Sequence, residues 1–201
     1  VYTDVLQAVQ AFPGIQSINE TVSNINIRGG SHDQNLILWD DIKMYQSGHF
    51  FGLISMFNPQ ITQRVSLTKN GSGTEFTDGV SGIISMQSER EITKVFKGNI
   101  GVNFIDANGF VDVPIGDKSS LQIAARKSIS DFTETQTYNN FFERISQDTE
   151  VENNAMSIIN SDKAFDFYDM SLRWIYRIND KEELRVNFIN VANELVFNEN
   201  A

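Results

Sequence analysis

Apolar positions along the chain change their rhythm near residue 90. In "TDVLQAVQAFPG", Val5, Leu6, Val9 and Phe12 recur at helical spacing. Thr3 or Asp4 supplies an N-cap, and Pro13-Gly14 stops the helix. "NINIRGG" alternates Ile25 and Ile27 with Asn24, Asn26 and Arg28, which predicts a strand with one polar face. "NLILWDDIKMY" holds a continuous apolar run, as in a strand buried on both faces, broken by a turn at Asp40-Asp41. Asn58-Pro59 reads as the start of a short helix, followed by a strand from Arg64 to Thr68. A last strand is expected over Gly82–Gln87. Residues 1–88 are thus predicted to form a small unit of about four strands and two or three short helices.

Residues 95–201 follow a period of two. "NIGVNFIDANGFVDV" sets Ile100, Val102 and Phe104 against Asn99, Gly101 and Asn103. "SLQIAARKSIS" sets Leu121, Ile123 and Ala125 against Gln122, Ala124 and Arg126. "FYDMSLRWIYRI" sets Met170, Leu172, Trp174, Tyr176 and Ile178 against Ser171, Arg173 and Arg177. "LRVNFINVANELVF" begins with Leu184, Val186 and Phe188 facing away from Arg185 and Asn187. Four long strands are predicted, with short turns at "PIGDKS" and "NDKEE". Residues 131–164 read as a long polar loop with a short helix near Phe141–Ile145.

These strands exceed the ~5–6 residues usual in soluble proteins. Short turns on one side and long loops on the other predict a transmembrane β-barrel. Four strands cannot enclose an 88-residue unit, whereas transporter barrels that hold a plug use ~22. The chain is therefore expected to be part of a longer protein. The alternative is a soluble α/β binding or interaction module with an appended β-meander.

Composition narrows the function. The 15 Phe, 5 Tyr and 2 Trp belong to a folded chain. A net charge of −10 disfavours nucleic acid as a partner. The lack of cysteine excludes disulfides and thiolate metal sites, and two histidines make a His-rich metal site a poor expectation. Ser47 and His49 lie too close in sequence for a catalytic relay, and no GxSxG or HExxH motif occurs. No enzyme activity, catalytic residue, metal or cofactor is expected. Gly29-Gly30 lacks the spacing of a phosphate loop, so a turn requiring positive φ is the better reading.

Three stretches carry a resemblance. They are "DVLQAVQAFPGIQ", "INIRGGSHDQNLILWDDIKMY" and "GHFFGLISMFNPQITQRVSLTKNGSGTEFTDGVSGIISMQS". In this order, over residues 3–88, they resemble the plug domain of a TonB-dependent outer-membrane receptor, of the type common in Bacteroidetes-like bacteria. Residues 95–201 resemble the first barrel strands after the plug, by pattern more than by motif. The resemblance implies an α+β plug, a mixed sheet of about four strands with short helices, over residues 1–90. Antiparallel strands of a transmembrane barrel of ~22 strands follow over 91–201.

The function implied is binding of a scarce extracellular solute, such as a siderophore, cobalamin, glycan or peptide, and its import into the periplasm. The implied partners are that solute, outer-membrane lipid, and TonB, which pulls on a box expected upstream of Val1. The implied location is the outer membrane of a Gram-negative cell, with the plug inside the barrel lumen. In the family, Arg28 would pair with barrel carboxylates, and Glu75 with barrel arginines. "YQSGHFFGLISMFN" would form an apical loop in which Tyr45, Gln46, His49 and Phe50 contact the solute, while Phe51 and Phe57 fill the core.

Overall fold

The computed structural model describes residues 4–17, 21–22, 24–69, 73–77, 79–129 and 163–197, together with positions 136, 139 and 140. The expected helix near Phe141–Ile145 and most of the polar loop lie outside these residues.

Helix α1 spans Val5–Gln10. The Asp4 carboxylate caps it, accepting from the backbone N–H groups of Leu6 at 2.9 Å and Gln7 at 3.1 Å. Val5, Leu6 and Val9 face inward. Phe12 lies beyond the helix end and is exposed, so the helical face ends one turn earlier than the spacing predicts.

Two short strands follow, β1 (Ile15–Gln16) and β2 (Asn26–Ile27), paired antiparallel. The turn after β2 places Arg28 at φ +50° and Gly29 at φ +84°, and the Gly30 N–H closes it on the Ile27 carbonyl. Gly30 is needed for space instead: a Cβ there would fall 1.7 Å from Ser81 Oγ.

Strands β3 (Asn35–Trp39) and β4 (Ile42–Met44) form a hairpin through Asp40 and Asp41, at φ +45° and +68°. Two positive φ values in a two-residue connection match the right-handed strand twist. A small ribbon comes next, β5 (Gly48–His49) and β6 (Ile54–Ser55), closing around a 3₁₀ turn at Phe50–Gly52. No helix forms at Asn58-Pro59. The Asn58 side chain instead accepts from the Gln60 N–H at 2.9 Å, and this competing turn leads directly into β7 (Thr62–Lys69). Strand β8 is Gly82–Ser88.

The main sheet runs β4-β3-β8-β7, with β3 and β8 parallel and the other pairs antiparallel, so it is mixed and four-stranded. One face carries Trp39, Ile84 and Met86 into a core with α1, Phe57 and Ile61. The other packs Leu36, Leu38 and Ile83 against Phe76. The central strand is therefore buried on both faces, as its unbroken apolar run predicts.

Among the described residues, five antiparallel strands follow: β9 (Lys97–Val102), β10 (Asp106–Pro114), β11 (Ser119–Ser128), β12 (Lys163–Arg177) and β13 (Glu183–Phe197). The stretch read as one long strand from Asn99 is a hairpin. Asn103 Oδ1 accepts from the N–H groups of Ile105 and Asp106 at 2.7 and 2.8 Å, turning the chain inside an unbroken alternation. The connections at 115–118 and 178–182 lie at one end of the sheet, and those at 103–105 and 129–162 at the other.

This sheet has two unlike faces. Along β12, Phe165, Phe167, Asp169, Ser171, Arg173 and Ile175 point to the plug and are buried. Between them, Tyr168, Met170, Leu172, Trp174 and Tyr176 point away. Ala124, Phe110, Ile189 and Val191 join the plug core, which therefore runs across the boundary between plug and wall.

Candidate functional site

Two features of the plug concentrate polar chemistry. The first is its seam with the wall. Gly48 allows the β5–β6 ribbon to close, since a Cβ there would sit 2.8 Å from the backbone of Gly52 and of Ile54. The closed ribbon aims His49 at the wall, fully buried. Its Nε2 lies 3.1 Å from Asp169 Oδ2 on β12, and its Nδ1 2.5 Å from Asn193 Oδ1 on β13. The Phe167 ring packs on the imidazole at 4.5 Å between centroids. Arg126 on β11 donates through Nε to the same Asp169 oxygen at 2.7 Å and through Nη2 to the carbonyl of Ser55. Three wall strands thus hold one plug ribbon, with Phe50 and Ile54 seated on Phe165 and Phe167.

Lower on the seam, Arg173 is completely buried. It donates through Nη1 to the Glu89 carbonyl at 2.5 Å and through Nη2 to Ser120 Oγ at 3.0 Å, with Asp112 at 3.7 Å. It grips the backbone where the chain leaves the plug. Just before that point, the buried Asp40 carboxylate accepts from Ser88 N–H at 2.9 Å and Ser88 Oγ at 2.5 Å.

Asp4 belongs to the same seam. Burial is the main influence on its carboxyl and raises its pKa above the usual 3.8, opposed by the capping N–H groups and by Arg126.

The second feature is a cavity of about 860 Å³ between the plug and β13. Its wall includes Asp33, Asn35, Lys43, Tyr45, Gln46 and Asn193. Tyr45 is 91% exposed. Gln46 donates to the Gly48 carbonyl at 2.9 Å, and Lys43 to Thr77 Oγ1 at 3.2 Å. Asn35 donates to the Ile25 carbonyl at 2.5 Å, while its buried Oδ1 has no partner among the described residues. A hydrogen bond from Ser31 holds the Asp33 carboxyl below its usual pKa. Asn193 and Leu195 place the cavity toward the end of the wall that carries the 129–162 connection.

The structure divides the expected solute contacts. Tyr45 and Gln46 border open space. His49 does not: it is sealed against the wall, because its ribbon turns inward at Gly48. Phe50 lies at the cavity edge but is 6% exposed, its ring packed edge-on against Phe165. Phe57 is core, as expected. Arg28 and Glu75 are both exposed, and the plug–wall contacts described above run through other side chains. Asp169, Arg173, Asn193 and Asn35 were not singled out by sequence. The available signal was a charged or amide residue on the inward face of an otherwise regular strand. Among the described residues, no group of three His, Asp or Glu side chains could hold a metal ion.

Residues 2–83 match the TonB-dependent Receptor Plug Domain family. Among solved structures, the chain is similar to the siderophore receptor PirA from Acinetobacter baumannii, with a TM-score of 0.58 at 13% identity, over 98% of this chain and 30% of that one. It is also similar to a mutant of the ferric enterobactin receptor PfeA from Pseudomonas aeruginosa, with a TM-score of 0.54 at 14% identity, over 96% of this chain and 31% of that one. At these identities the similarity is one of fold, and the chain spans less than a third of the length of either receptor. Comparison with curated proteins finds no match. Residues 2–83 are thus similar to a TonB-dependent receptor plug domain, and the antiparallel strands that follow share the fold of those receptors.

Proposed function

We propose that this chain is the solute-gating part of an active outer-membrane importer. Residues 1–90 act as the plug and 91–201 as the first part of the barrel. The observation that carries the reading is the pair of unlike faces on the wall. Outward positions from Tyr168 to Tyr176 are apolar or aromatic, and Val111, Val113, Leu121, Ile123, Val186 and Phe188 continue the band on neighbouring strands. Tyr168 to Tyr176 spans about 26 Å along the strand, the scale of the ~25 Å apolar band of outer-membrane barrels. Lys127 stands opposite Tyr168 on that face, and Glu194 stands beyond it, opposite Asp166. The inward face mixes buried polar groups such as Asp169 and Arg173 with Phe165, Phe167 and Ile175, and it meets the plug.

On this reading the cavity beside Tyr45 and Gln46 receives an extracellular solute. The plug blocks the lumen until it is displaced by pulling through TonB. Arg28 and Glu75, exposed on the plug, meet oppositely charged residues of further barrel strands. The similarity to siderophore receptors supports a solute of that general kind, a scarce nutrient captured outside the cell.

The test is made on the full-length protein. It is expected to fractionate with the outer membrane, to require detergent, and to migrate differently on gels before and after boiling. Uptake of its solute is expected to stop when TonB is deleted. A full-length protein that is soluble without detergent overturns the reading.

A further inference from the structure

We propose that the buried junction around His49 is a proton-dependent latch: a doubly protonated imidazole ties the plug to two strands of the wall, and one tie is lost when the ring deprotonates. The observation that carries this is the pair of atoms the ring faces. Nδ1 stands 2.5 Å from Asn193 Oδ1 on β13, and Nε2 stands 3.1 Å from Asp169 Oδ2 on β12. Both are oxygens, and Asp169 Oδ2 already accepts from the Arg126 guanidinium. A neutral imidazole carries one N–H and donates to only one of them, which sets its other lone pair against an oxygen. The imidazolium donates to both. Of the chain's two histidines, this one alone meets the wall, since His32 is exposed on the plug.

The surroundings admit the charge. The Phe167 ring that packs on the imidazole also carries the Arg126 guanidinium, 5.5 Å from its centroid, and an aromatic face attracts cations. Among the described residues, the charged groups at the junction are Asp169 from β12, Arg126 from β11, and Asp4 from the start of α1, which acts on Arg126. Strand β13 adds the neutral Asn193, and Glu194 lies on the other face of that strand. With Asp4 ionised, the imidazolium, the guanidinium and the two carboxylates sum to zero. A neutral ring leaves one negative charge in excess at a buried site, which is costly. Protons have a route to the sealed ring. Asn193 borders the cavity beside the plug, and Arg126 borders a second cavity of about 450 Å³.

Histidine changes charge between about pH 5 and 8. The latch is closed at the acid end of that range and loosens as pH rises. The test follows amide exchange of residues 47–55 in the full-length receptor in detergent, between about pH 5.5 and 8.5, corrected for the intrinsic pH dependence of exchange. Wild-type protection is expected to fall about tenfold across the range, the scale of one charge-assisted hydrogen bond. His49→Gln keeps a donor for Asp169 but does not titrate, and is expected to remove that fall. Asp4 titrates in both proteins alike, so the difference between them belongs to His49. Asn193→Asp sets a carboxylate against Nδ1 and is expected to carry the fall to higher pH by about one unit or more. Protection that is flat in the wild type overturns the proposal. So does protection that rises with pH, the signature of a neutral ring accepting from a turned Asn193 amide. An unaltered fall in His49→Gln, or an unmoved one in Asn193→Asp, overturns it equally.

Discussion

His49 of the plug and Asp169 of the barrel wall meet at 3.1 Å, both completely buried, although 120 residues separate them in sequence. The pair joins two parts of the molecule that would have to separate if the plug moves. Asp169 is shared with Arg126, which also grips the plug at Ser55, so the contact is a three-residue junction.

Removing one member leaves buried charge without its partner, which costs about 3–5 kcal/mol. Asp169→Ala is therefore expected to be strongly destabilising and to speed amide exchange in residues 47–55. His49→Ala is expected to have a smaller effect, because Arg126 still neutralises Asp169. A double-mutant cycle between the two positions is expected to show coupling of about 0.5–3 kcal/mol. Additive losses mean that the two residues do not act together.

Arg173 makes a separate prediction. It holds the Glu89 carbonyl where the chain leaves the plug. Arg173→Ala is expected to expose the 89–96 linker to limited proteolysis in the full-length receptor, with little change in exchange at residues 47–55. Equal protection of the linker in both proteins contradicts this.

Gly48 is expected to tolerate no side chain. A Cβ would press on the backbone of Gly52 and Ile54, which cannot yield as a flexible side chain can. Gly48→Ala is expected to cost about 1–3 kcal/mol. It should disorder the ribbon that carries His49, read as faster exchange at His49–Ser55. Unchanged exchange shows that the ribbon accommodates the methyl group.

Asp4 couples a helix cap to pH. Because burial raises its folded pKa, the proton is held more tightly in the folded than in the unfolded state. Its contribution to stability is full below the ordinary value of 3.8 and is lost as pH rises through the raised value. Asp4→Asn keeps a capping oxygen without the charge, so it is expected to flatten this dependence with little loss of stability. Asp4→Ala removes the cap and is expected to cost about 1 kcal/mol. Thermal unfolding across pH, wild type against Asp4→Asn, reads the difference.

Much of this architecture was legible because local chemistry and global fold agree. The Asp4 cap, the Asp40-Asp41 turn, the apolar run of β3 and the two-residue period of β11 to β13 each specify their element without help from distant residues. The errors arose where a side chain overrode periodicity. Asn103 turns the chain inside a regular alternation, and Asn58 makes a turn where Pro59 suggested a helix. The seam was least legible. His49 looks like an exposed loop residue in sequence. Its burial depends on Asp169 and Asn193, which lie far along the chain and meet it only through strand register. Tyr45 and Gln46 border the cavity because an aromatic and an amide at the end of a short hairpin have no core to enter.

The central claim is that one face of the strand wall meets lipid while the other meets the plug. The chain's two tryptophans report on the two sides: Trp174 points outward from β12, and Trp39 is sealed in the plug core at 1% exposure. The most direct test reconstitutes the full-length receptor in vesicles containing brominated lipid and compares it with the Trp174→Phe and Trp39→Phe variants. The bromine-quenched part of the fluorescence is expected to fall when Trp174 is replaced and to be unchanged when Trp39 is replaced. Quenching that is insensitive to Trp174→Phe would contradict a lipid-facing wall.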